Sequence, residues 1–177
     1  ITELFAARRC LHSLGILRKL CVQKPFIAHA LGGVEDNCYL NVIEAIDYHY
    51  NHGCRVFEVD LEYTMDKKLV LAHGCWRKID YQRLGIAYNS ESPVPTYDEF
   101  MSWEVQGKYK TADFTDLVNA MKKYKDIFVV LDLGNVSYEE TLHTYQDIVA
   151  LTNHDKSVLK RFIAGGQSVN DPTKQIE

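Results

Sequence analysis

The sequence predicts an α/β fold built on a parallel sheet, from three observations. Short apolar runs alternate with helical stretches carrying one apolar stripe, the pattern of successive βαβ units. The run Ile127-Phe-Val-Val-Leu131 is apolar on both faces, as parallel strands covered by helices are. Each apolar run also ends on residues suited to chemistry: His29, the pair Glu58 and Asp60, His73, and Asp132.

Phe26-Ile27-Ala28 is the first strand, ending at His29, with Gly32-Gly33 letting the chain turn sharply. From Asn37 to His52, Leu40, Ile43, Ile46 and Tyr50 recur at helical spacing, and Gly53 closes the helix. Val56 to Tyr63 is the second strand. Side chains alternate across it, so Val56, Glu58, Asp60 and Glu62 share one face, and Phe57, Val59, Leu61 and Tyr63 the other. Asp66-Lys67-Lys68 is a turn, and Leu69 to Ala72 is a short extended run that delivers His73-Gly74.

Cys75 to Thr111 reads as a long connection with one short helix, capped by Thr96 and Glu99, and is expected to overhang the mouth of a site. Asp113 caps a helix with the stripe Leu117, Val118, Met121 and Tyr124. The strand from Ile127 to Leu133 carries Asp132. Ser137 and Glu140 open a helix expected to bury Leu142, Tyr145, Ile148 and Leu151, and Arg161 to Ala164 is the last strand.

The 177 residues, 46% hydrophobic and 25% charged, are enough for one domain with a sizeable core, placed at residues 25–166. Residues 167–177 are a polar tail. Residues 1–24 set Arg8, Arg9, Arg18, Lys19 and Lys24 among leucines against the single acid Glu3, a basic amphipathic segment that packs on the domain or touches a membrane surface. No apolar run approaches the ~20 residues of a spanning helix, and charges interrupt any signal-peptide core. With a net charge of −4 and no basic stripe interleaved with aromatics, no nucleic-acid partner is expected. Five scattered cysteines, Cys10, Cys21, Cys38, Cys54 and Cys75, make neither a disulfide framework nor a zinc motif. They are expected to be reduced and buried, in a cytoplasmic and, through residues 1–24, membrane-associated protein.

Glu58, Asp60 and Asp132 at strand ends would put three carboxylates around one point, where they repel unless a cation sits among them. All-oxygen ligation favours one hard ion, Mg²⁺ or Ca²⁺, over zinc. His29 and His73 flank the acidic pair. Histidine titrates near neutrality, so one can take a proton from a nucleophile while the other gives one to a leaving oxygen. His12, His49, His52, His143 and His154 have no such setting.

The order His, Glu-x-Asp, His over residues 26–134 resembles the glycerophosphodiester phosphodiesterase family and, more broadly, the phospholipase C-like phosphodiesterase barrels. The resemblance implies a TIM (β/α) barrel, one divalent cation held by Glu58, Asp60 and Asp132, and acid–base catalysis by His29 and His73 on a glycerophosphodiester or lipid-headgroup phosphodiester. Asn41 resembles the asparagine of the family's Glu-Asn-Thr motif and is assigned to the substrate phosphate. Two features depart from the family. Its usual His-Arg-Gly is His29-Ala30-Leu31-Gly32, without the phosphate-gripping arginine, and the lysine often found two residues after the third acid is Gly134. A closed eight-stranded barrel takes ~250 residues, so these strands make about half a barrel, completed by further sequence, by pairing of two copies, or by residues after Gly166.

Two other readings stay open. One is a phospholipase D-like or cyclising lyase on intact phospholipid, aided by the basic first segment and an aromatic loop of Trp76, Tyr81 and Tyr88. The other is a non-catalytic binding module derived from a barrel.

Overall fold

The computed structural model describes residues 26–165 except Asp36, Cys75 and Asn135. The basic segment 1–24, the polar tail 167–177, Cys10, Cys21, Cys75 and His12 lie outside the described residues.

Four strands lie side by side, all parallel: β1 (Ile27–Ala28), β2 (Val56–Tyr63), β6 (Phe128–Asp132) and β7 (Phe162–Ala164), in that order. Among the described residues this sheet stays open, with β1 and β7 at its edges. β2 is longer than its neighbours need. Its first part, Val56 to Asp60, pairs with β6 so that Asp60 stands beside Asp132; its last residues pair antiparallel with β3 (Leu69–Leu71). That hairpin folds the chain back until the Ala72 amide donates to the Asp60 carbonyl, which brings His73 back beside the middle of β2, where its pairing with β6 ends.

Helix α1 (Ile43–Asn51) links β1 to β2, α4 (Phe114–Lys123) leads into β6, and α5 (Tyr138–Leu151) and α6 (Lys156–Leu159) link β6 to β7. One face of the sheet packs on these helices: Phe57, Val59, Val129 and Leu131 are buried with Ile46, Leu117 and Met121. On the other face of β6, Phe128 and Val130 are only half-buried, so the strand read as apolar on both faces has one packed side and one partly open side. Glu58, Asp60 and Asp132 share this more open side.

The segment from 76 to 111 is not one helix in a long loop. It holds α2 (Lys78–Leu84), α3 (Tyr97–Met101) and the hairpin β4 (Glu104–Val105) with β5 (Tyr109–Lys110). Trp76, Tyr81 and Phe100 form a second small core with Val70 and Ala72, linked by edge-to-face ring contacts. Aromatic side chains spaced irregularly in a loop-like sequence have thus found one another, not solvent. Trp76 and Tyr81, which the lyase reading set on an aromatic loop, are buried here, and the Trp76 indole donates to the Tyr63 carbonyl at 2.9 Å.

All three expected helix caps form. Thr96 with Glu99, Asp113 with Asp116, and Ser137 with Glu140 each exchange side-chain and backbone hydrogen bonds across the first turn. Other expectations need correction. The first helix begins at Ile43, not Asn37, because Tyr39 and Asn41 take positive φ angles of 62° and 52° that no helix accommodates. The buried stripe of α5 is Thr144, Tyr145 and Ile148, with Leu142 and Leu151 exposed, so the helix is rotated from the orientation its leucines suggest. Cys38 is exposed and Cys54 half-buried, so neither is the buried thiol expected.

Candidate metal and acid–base site

The site stands at the C-terminal end of β6 and at the middle of β2, where the pairing of the two strands ends. The i, i+2 spacing on β2 and the register Asp60 opposite Asp132 bring one carboxylate oxygen from each of Glu58, Asp60 and Asp132 within 4.8 Å of one another. Three acids on adjacent parallel strands therefore converge, as the alternation of side chains requires.

Each carboxylate is also held by a protein donor. The Ala30 amide donates to Glu58 Oε2 at 2.7 Å, Asn41 Nδ2 to Asp60 Oδ2 at 2.9 Å, and the Gly134 amide to Asp132 Oδ1 at 2.7 Å. Asp132 therefore makes a strand-end turn bond and joins the cluster as well. Glu58 Oε1 is buried without a hydrogen-bond partner among the described residues. A buried acceptor left unpaired costs about 1–3 kcal/mol, so its place among two further carboxylates fits a hard cation.

Burial first, and the charges of Asp60 and Asp132 after it, push the Glu58 carboxyl up to about 7, although the Ala30 amide pulls the other way. A carboxyl raised from 4.5 keeps its proton in the folded protein after the unfolded chain has lost it. Folding stability therefore falls as pH rises between about 4.5 and 7, and a cation taking the proton's place restores it above that window.

Asn41, the residue assigned to the phosphate, is engaged with Asp60: Nδ2 donates to the carboxylate, and Oδ1 accepts from the Asp60 amide at 3.1 Å. The positive φ of Asn41 and the bond from its own amide to the Ala30 carbonyl turn the chain back for this contact.

His29 follows β1 directly, its Nε2 3.6 Å from Glu58 Oε2 and its side chain 59% exposed. After it, Ala30 and Leu31 take φ of 49° and 62° while fully buried, a left-handed pair that aims the Ala30 amide at Glu58. Gly32 follows at φ 96°, where a Cβ would also collide with the His49 ring. His73 Nδ1 lies 3.0 Å from Asp80 Oδ1. Donation of the Nδ1 proton to this carboxylate fixes the tautomer and leaves Nε2 available.

Sequence reading alone missed Asp80, which is 4% exposed and central to this side of the site. It also accepts from the Arg77 amide and guanidinium, and although burial opposes it, these bonds together with His73 hold its carboxyl below the ordinary carboxylate range. Gly74, at φ 91°, leaves the space that the Asp80 carboxylate fills beside the chain. The one signal available was the spacing Arg77, Asp80, Arg83, which puts three charges on one helix face.

No family model matches the sequence, and no curated protein matches it. Among solved structures, a glycerophosphodiester phosphodiesterase from Parabacteroides distasonis matches with a TM-score of 0.58 at 19% identity, over 78% of this chain and 54% of that one. A candidate glycerophosphodiester phosphodiesterase from Galdieria sulphuraria matches with a TM-score of 0.57 at 16% identity over the same shares. The fold is shared with these phosphodiesterases. The chain spans about half the length of the solved structures it matches, and a closed barrel is not seen among the described residues. Among the same residues, no helix is long and apolar enough to cross a membrane.

Proposed function

We propose that the chain carries the cation-binding and acid–base part of a phosphodiesterase site that hydrolyses glycerophosphodiesters or related lipid-headgroup phosphodiesters. The observation that supports this reading is the convergence of Glu58, Asp60 and Asp132, with Glu58 Oε1 buried and unpaired among the described residues and His29 3.6 Å from Glu58. The fold shared with glycerophosphodiester phosphodiesterases supports the same reaction class.

Glu58, Asp60 and Asp132 would hold one Mg²⁺ or Ca²⁺, which supplies charge stabilisation for a non-bridging phosphoryl oxygen. The protein's own groups do the rest. Ala30, Asn41 and Gly134 keep the three carboxylates aimed, so that no reorganisation is needed when substrate arrives. One imidazole takes the proton of the attacking water or substrate hydroxyl as the new P–O bond forms. The other returns a proton to the alcohol oxygen as the old P–O bond breaks. Asp80 keeps the His73 ring in the orientation this exchange needs. The lyase on intact phospholipid loses the support drawn from Trp76 and Tyr81, since both rings are spent in the second core.

The test is hydrolysis of glycerophosphocholine by the unaltered protein, followed as release of glycerol 3-phosphate or choline. Activity with Mg²⁺ or Ca²⁺ that disappears on chelation and returns with the ion is the expected result. Full activity in excess chelator would contradict it.

A further inference from the structure

We propose that Arg83 is the residue that grips the substrate phosphate, supplying from α2 the positive charge that neither Ala30 nor Gly134 provides. The assignment rests on the phosphodiesterase reading above.

A phosphodiester needs such a residue here. Three carboxylates outweigh one divalent ion, so an incoming anion meets residual negative charge unless a cationic side chain stands at the rim. Position 30 cannot supply it: Ala30 is fully buried and its backbone is committed to Glu58. Position 134 has no side chain.

Arg83 stands where the charge is needed. A continuous arc of contacts runs around the mouth of the site. It passes from Glu58 to His29 at 3.6 Å, from His29 to the Tyr39 ring at 4.9 Å between centroids, and from Tyr39 to the Arg83 guanidinium at 5.6 Å. It closes from Arg83 Nη1 to His73 Nδ1 at 3.2 Å. The guanidinium is thus linked to His29 through the Tyr39 ring and meets His73 at its Nδ1 edge, its side chain 40% exposed.

Its one ion pair among the described residues, with Asp80, is long and shared, which leaves guanidinium donors for a further anion. Asp80, 3.7 Å away, already accepts at 3.0 Å from both Arg77 and His73. His73 Nδ1 cannot donate to Asp80 and accept from Arg83 at once. With the proton directed to the carboxylate, Arg83 Nη1 is left facing an N–H, and a phosphate oxygen is the better partner. The base of the side chain is firmly anchored. Gly85 ends α2 at φ 73°, the Gln106 amide donates to the Leu84 carbonyl at 2.7 Å, and the Gln106 side chain donates to the Arg83 carbonyl. The β4–β5 hairpin thus fixes the root of Arg83 and limits the ordering cost of binding.

The competing account is that Arg83 merely helps Asp80 position His73, as Arg77 does. Steady-state kinetics on glycerophosphocholine separate the two, using Arg83→Ala, Arg83→Lys and Arg77→Ala, with circular dichroism melting to verify the fold. Calorimetric titration with inorganic phosphate in the presence of Ca²⁺ gives a second readout. For Arg83→Ala, KM is expected to rise and phosphate affinity to fall about 10- to 100-fold. Arg83→Lys should recover part of the loss, and added guanidinium should partly rescue Arg83→Ala. Arg77→Ala should act mainly on kcat, through His73. Unchanged KM and phosphate affinity in Arg83→Ala, with a fall in kcat matching that of Arg77→Ala, would overturn the assignment and leave the phosphodiesterase reading standing. No hydrolysis by the unaltered protein, with phosphate binding that still depends on Arg83, would instead count against the phosphodiesterase reading alone.

Discussion

Replacing either His29 or His73 with alanine is expected to lower kcat for glycerophosphodiester hydrolysis about 10²–10⁴-fold, the usual worth of a positioned proton donor or acceptor. The two losses have different structural origins. His29 owes its place to the strained turn after β1, where its Nε2 comes beside Glu58, so His29→Ala removes a proton carrier at the edge of the carboxylate cluster. His73 owes its place to the β2–β3 hairpin and to Asp80, so His73→Ala also leaves a buried carboxylate with one donor fewer. Cation binding should survive in both variants, because neither histidine belongs to the cluster of three carboxylates. Wild-type turnover by both would show that the acid–base assignment is wrong.

Arg161→Ala is expected to lower stability by about 3 kcal/mol, or roughly 10 °C in Tm for a domain of this size. Arg161 is 5% exposed, ahead of β7, and its guanidinium donates to the carbonyls of Met121, Tyr124, Ile127 and Ser157. Two of these, Met121 and Tyr124, are at the end of α4, where carbonyls lack helical partners. Burial depresses the pKa of the guanidinium, with Asp155 and Asp126 opposing, yet an arginine stays charged throughout the working pH range. The variant therefore leaves several buried acceptors unpaired. Thermal melting checks this, and a shift of only a degree or two would mean that water replaces the side chain at little cost. Arg161 lies ahead of β7, away from the strand ends that carry the site, so the turnover of folded molecules should hardly change.

How much of this was legible in the sequence depends on the range of the interactions. Glu58 and Asp60 could be read because strand alternation is a local rule, and Asp132 because it ends a second apolar run; the register that sets Asp60 beside Asp132 completes the cluster observed. The helix caps at Thr96, Asp113 and Ser137 are equally local. Where tertiary contacts override local preference, reading failed. Leu40 looked helical, but Asn41 is turned back to hold Asp60, so the helix starts later. Trp76 and Tyr81 looked like parts of a loop, since the core they share with Phe100 is visible only once β3 has folded onto β2. Asp80 and Arg83 were invisible as site residues because His73 reaches them across a turn, with no periodicity to announce the contact. The departure at position 30 was legible as a missing arginine, but where a replacement charge would come from was not.

Calorimetric titration of the purified chain with Mg²⁺ and with Ca²⁺, at pH 6 and at pH 8, probes cation binding among Glu58, Asp60 and Asp132, on which the proposed chemistry depends. The expected result is saturable binding of a single ion per chain. Affinity should be higher at pH 8, where the ion need not displace a proton from the Glu58 carboxyl raised to about 7, and proton release should accompany binding at pH 6. Glu58→Gln should weaken binding at least about tenfold and flatten its pH dependence. No heat of binding with either ion at either pH, or affinity indifferent to Glu58→Gln, would contradict the account.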